Sequence, residues 1–105
     1  MDCYEKTCEW VKFLEMDLTT AEHLHKTMHP EPLEIVCYHC QQSAEKMLKA
    51  FLVFSGISPP RIHNLEELLG KCYKIDGTFS VIEKKCIRLS DYSSQPRYPN
   101  YLAVF

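Results

Sequence analysis

The run CYHCQQSAEKMLKAFL, residues 37–52, holds the densest set of reactive side chains in the chain. Cys37 and Cys40 stand three apart with His39 between them, and thiolates and imidazoles are the preferred ligands of zinc. A zinc site needs four such ligands, or three and a water, converging on one point. A second pair at comparable spacing is missing: Cys3 and Cys8 are five apart, and Cys72 and Cys86 stand alone. Cys37 and Cys40 also share a helical stripe with Ala44, Met47, Leu48 and Phe51, so packing accounts for them as small apolar side chains. A redox Cys-x-x-Cys belongs beside a βαβ pattern, and no strand pattern of useful length occurs here. The expectation is a protein with no metal and no cofactor.

Polar residues in apolar company are more informative. Asp17 lies on the apolar stripe of the first helical segment, where a buried carboxylate requires a partner. His63 follows the stiff ISPPRIHN stretch, and Arg97 sits in QPRYPN between Pro96 and Pro99. Proline fixes its own backbone angle, so side chains in such stretches are held in place at little entropic cost. Lys46 and Lys49 are three apart on one helical face, suited to phosphate charge. The expected ligand-binding set is therefore Gln42, Lys46, Lys49, His63 and Arg97, around a groove between the second helix and the two proline-stiffened loops. Asp17 is expected to be structural, and no residue is assigned as catalytic. Against this set stands a plainer reading. The lysines form a solvated face, Lys49 more so than Lys46; His63 helps to start a helix; and Arg97 anchors its segment on an acid such as Asp17.

A chain of 105 residues is expected to form one domain over residues 1–105. Hydrophobic residues make up 46% and charged residues 25%, with a formal net charge of -2. That balance is an ordinary globular one and provides no bulk positive field for nucleic acid. The opening MDCYEKTCEW lacks the apolar core of a secretory signal. The longest apolar run, AFLVF, is too short to cross a bilayer. The expected location is the cytoplasm, where the six cysteines stay reduced.

Four helical segments position these residues. Trp10, Leu14, Asp17, Leu18, Ala21, Leu24 and Met28 recur at three- and four-residue steps, which predicts an amphipathic helix from about Tyr4 to Met28. HPEP ends it. A second helix spans Leu33 to about Ser55 and is closed by Gly56, with Glu45 and Lys49 as a favourable surface pair. A short third helix runs from Leu65 to about Tyr73, capped by Asn64 with Glu67 reaching back. After an IDGT turn, Ser80 and Glu83 form a capping box that opens a fourth helix from Val81 to about Ser93. The predicted fold is all-α, an up-and-down antiparallel four-helix bundle.

Taken in order, Trp10, Asp17-Leu18 and Ala21, then QQSAEKMLKAFL, PPRIHNLEELL and RYP at 97–99 closely resemble the HEPN domain (higher eukaryotes and prokaryotes nucleotide-binding). The block QQSAEKMLKAFL is similar to the family's QQAAEKALKALL, and the match runs through nearly the whole chain. The resemblance implies a helical bundle that forms a homodimer and binds a nucleotide, an RNA or a partner protein. It also implies pairing with a small nucleotidyltransferase, in the manner of a toxin–antitoxin couple. Other members are metal-independent ribonucleases with an Arg-x4-6-His motif.

The sequence departs from that pattern twice. His23, His25, His29 and His39 precede the first arginine, Arg61 lies too close to His63, and no histidine follows Arg88 or Arg97. The ribonuclease needs a titratable base beside a phosphate-stabilising cation, so the activity is not carried over. A non-catalytic binding module is the leading expectation. A ribonuclease with a dispersed site, or a module whose whole role is dimerisation, stands as the alternative. Members also continue past RYP into a further helix. The end at NYLAVF reads as either a truncated member or a fragment, with apolar surface left for a partner subunit.

Overall fold

The structure is a computed structural model and describes residues 1–92. It is an all-helical bundle with no strand among the described residues, and none of those helices is long and apolar enough to cross a membrane. Four α-helices follow in order: α1 Cys3–Thr27, α2 Leu33–Phe54, α3 Leu65–Ile75 and α4 Glu83–Leu89.

Each end of these helices has a local cause. Asp2 caps α1 by accepting from the Glu5 amide at 2.7 Å, and Met28 is already extended ahead of the proline-rich HPEP stretch. Gly56, with φ of 84°, closes α2 in a Schellman arrangement. There the Ile57 amide reaches the Leu52 carbonyl and the Gly56 amide reaches that of Val53. Asn64 Oδ1 accepts from the Glu67 amide at 3.0 Å and starts α3 as its sequence position implies.

The fourth segment differs from expectation. Ser80 makes no cap; residues Gly77–Ile82 wind as a 3-10 helix, begun by Asp76, whose carboxylate accepts from the backbone and hydroxyl of Thr78. Those two bonds hold the Asp76 carboxyl below its usual range. Only Glu83–Leu89 is α-helical, and Ser90–Tyr92 tighten again to 3-10. The local Asx bond competes with helix initiation and wins because it is already closed at Asp76.

The helices α1 and α2 pack antiparallel, since Trp10 meets Lys49, Leu14 meets Ser43 and Asp17 meets His39. A separate apolar core lies between α2, α3 and α4, built on Leu48, Leu52, Leu65, Leu68, Leu69, Cys72 and Cys86. The rings of Phe51 and Phe79 close its edge with centroids 4.7 Å apart. Met47, expected within the apolar stripe, lies instead at the surface. It sits beside Thr78, Phe79 and Ile82 at the rim of that core.

Candidate functional site

The α2 helix presents two polar lines, one toward α1 and one beside the core. His39, Ser43 and Lys46, spaced by four and three, all bond α1. The same spacing continues through Val36, Ala50 and Val53, which are buried. Gln41, Glu45 and Lys49 repeat every four residues along a second line, and all three are buried.

On the first line Asp17 of α1 is the hub. One carboxylate oxygen accepts from Lys46, and the other faces His39 Nδ1 at 3.0 Å. A carboxylate only accepts, so Nδ1 carries the proton in this contact. Ser43 adds a bond from its hydroxyl to the Leu14 carbonyl at 3.0 Å. The expected structural role of Asp17 thus has named bases on α2.

On the second line Glu45 is the hub. Its Oε2 lies 3.4 Å from Lys49 Nζ and 3.1 Å from His63 Nδ1, while Oε1 is buried without a hydrogen-bond partner among the described residues. The Lys49 ammonium also stands 5.9 Å from the centroid of the Trp10 ring, within cation–π range. Gln41 is fully buried: its Oε1 accepts from Gln42 Nε2 at 2.8 Å, and its own Nε2 is unpartnered among the described residues.

These contacts sort the expected site residues. Gln42 is half-buried and tied to its neighbour Gln41. Lys46 is held by Asp17 at the wall of a cleft of about 430 Å³, lined also by Lys6, Glu9, Trp10, Phe13, Val53 and Pro59. Lys49 corrects the plainer reading: far from a solvated face, it is only 5% exposed, because Trp10 and Glu45 enclose it. His63 leaves its ring in solvent and touches Glu45 rather than lining the Lys46 cleft. Arg97 lies outside the described residues.

Lys46 and His63 therefore belong to two neighbouring clusters, joined by Trp10: its ring lines the cleft that holds Lys46 and also meets Lys49. Sequence reasoning assigned no site role to Trp10, Glu45 or His39. The four-residue recurrence of Gln41, Glu45 and Lys49 was the available signal, since three polar groups on one ridge of an otherwise apolar helix imply mutual pairing.

Cys37 and Cys40 are half-buried and lie along a shallow cleft with Lys85, Arg88, Leu89 and Tyr92. Burial first, and then the nearby Cys37, push the Cys40 thiol up from its ordinary range. It is the thiolate that ligates metal. No group of three or more His, Cys, Asp or Glu side chains among the described residues is placed to hold a metal ion.

The family model for the HEPN domain matches residues 9–103. No curated protein and no solved structure matches the chain.

Proposed function

The chain belongs to the HEPN domain family, and on that footing we propose that it is a non-catalytic module that binds a nucleotide in the Trp10 cleft. The reading extends to a cytoplasmic homodimer paired with a small nucleotidyltransferase in a toxin–antitoxin-like couple. The observation that carries the nucleotide reading is the meeting of Lys46 and Trp10 in one cleft. Its volume falls within the range of about 300–1,000 Å³ common to small-molecule sites. An indole face stacks on any nucleobase, and Lys6 and Lys46 bring positive charge to the same walls for phosphate, partly offset by Glu9 and by the Asp17 paired with Lys46. Asp17 fixes the Lys46 side chain in place, so little of its freedom remains to be lost on binding.

Trp10 is the chain's single tryptophan, which makes its fluorescence a reporter of this cleft and of the Lys49 contact beside it. Titration with AMP, GMP, ATP and GTP is expected to quench that emission and to release heat in calorimetry. Lys46→Ala should weaken binding about tenfold, the loss of one charge-assisted contact. No heat and no quenching with any of the four would remove the nucleotide reading and leave a partner-binding or dimerisation role.

One contact favours a second reading, a metal-independent ribonuclease. Glu45 binds His63 Nδ1 at 3.1 Å and so leaves Nε2 as the outward ring nitrogen on an exposed side chain. That is the geometry of an acid-oriented general base. RNA cleavage that persists in chelator and disappears in His63→Ala would establish it.

A further inference from the structure

Away from the Trp10 cleft, and sharing no residue with it, a groove of about 360 Å³ runs between α3 and α4. Leu69, Gly70 and Ser80 line it, Tyr73 and Ile87 stand exposed along it, and Glu66 and Glu83 supply its charge. Neither glutamate has an ion-pair partner among the described residues.

Gly70 is the residue that the fold itself does not explain. It lies inside α3, where glycine weakens a helix relative to alanine, and its φ is not in the left-handed region. A Cβ added there would meet nothing within 4 Å. Gly56, by contrast, is required by its positive φ. Gly70 instead leaves a bare stretch of backbone along the groove. The two glutamates sit in the first turns of their helices, where the helix dipole favours a carboxylate. That accounts for their charge but not for the glycine between them, nor for the aromatic and aliphatic walls.

We propose that this groove is a docking site for a basic segment of a partner protein. An arginine or lysine of that segment lays its aliphatic stem over Gly70 and against Tyr73 or Ile87, and brings its charge to Glu66 or Glu83. Long cationic side chains bury their stems on apolar surface in this way while the head remains polar. The Tyr73 ring adds a face for the cation. Both charged residues that line the groove are carboxylates, which favours a cation there over an acid.

The test uses the full chain labelled with 15N and two blocked tripeptides, acetyl-Leu-Arg-Leu-amide and acetyl-Leu-Glu-Leu-amide. The arginine peptide is expected to shift the amide signals of Gly70 and Ile87 saturably, with the effect falling as salt is raised; the glutamate peptide should not. The double variant Glu66→Gln, Glu83→Gln should weaken the arginine peptide at least tenfold. Gly70→Leu, whose Cβ has open space, places a side chain in the groove and should abolish binding while the rest of the spectrum stays folded. Equal binding of the two peptides, or full retention in either variant, would overturn the proposal. So would self-association of the unmodified chain that Gly70→Leu removes, because the groove would then seat a second copy.

Discussion

Asp17 joins α1 to α2 at two points, accepting from Lys46 at one carboxylate oxygen and facing His39 Nδ1 at 3.0 Å from the other. The two bases lie two helical turns apart on α2, so a single acid fixes the register of one helix against the other. Glu45 plays the matching part on the other side of α2, between Lys49 and His63. The seam between the two longest helices thus combines polar contacts with buried small apolar residues such as Ala21 and Val36, while the α2–α3–α4 core is built mainly on leucines.

Asp17→Asn keeps the side chain's shape but removes the charge that both bases meet. Because the acid is only 13% exposed, unfolding in urea should show a loss of about 1–3 kcal/mol, the range for a partly buried charge-assisted contact. Ala21, buried one turn further on α1, should protect its amide less against hydrogen exchange in the variant.

The Glu45–Lys49 pair separates a buried ion pair from a surface one. An exposed i,i+4 pair contributes roughly 0.3–0.5 kcal/mol. With both side chains buried, Glu45→Met strands the Lys49 ammonium and should cost about 3–5 kcal/mol. Lys49→Met should cost clearly less, because Glu45 retains His63 and the thioether fills the space under Trp10. Chemical denaturation of both variants decides the matter: equal small losses would mean that the pair behaves as a solvated one.

The cysteines should divide by reactivity. Cys3 and Cys8 are exposed, whereas Cys72 and Cys86 are buried. Burial and the neighbouring Cys86 push the Cys72 thiol up to about 11, and burial also raises Cys86. At pH 8 a maleimide should label Cys3 and Cys8 first and reach Cys72 only on unfolding, as read by mass spectrometry. The same shift makes stability depend on pH in the alkaline range. The folded state holds the Cys72 proton more tightly than the unfolded chain, whose thiol titrates near 9. The contribution is therefore complete below pH 9 and is lost as pH rises toward 11, by about 2–3 kcal/mol.

Gly70→Ala is expected to stabilise the chain. The added methyl meets no neighbour, and the substitution removes the glycine penalty inside a helix, about 0.5–1 kcal/mol. A rise in the thermal midpoint measures this. A fall would show that the α3 backbone requires glycine for a reason of its own.

The periodic and punctuating residues determined the first three helices by themselves. HPEP ends α1, Gly56 ends α2 and Asn64 opens α3, because each acts through its own backbone geometry or through a bond to an amide three residues on. The spacing of Leu65, Leu68, Leu69 and Cys72 likewise fixed the buried face of α3, since an apolar ridge has one favourable direction. The HEPN assignment was legible for the same reason: its blocks are local runs of sequence.

What only the tertiary structure decided is the fate of side chains with two plausible environments. Lys49 reads as a surface lysine beside Glu45 until Trp10, 39 positions earlier, closes over it. Met47 lies on the apolar stripe by count, yet it is left at the surface beside Thr78, Phe79 and Ile82. Ser80 and Glu83 satisfy a capping pattern, but Asp76 captures Thr78 first and winds the segment as 3-10. Lys46 and Lys49 differ by three positions, and one faces a cleft while the other is enclosed. Burial of a polar group depends on which distant residue desolvates it and supplies its partner, and that is a property of packing between helices rather than of spacing within one.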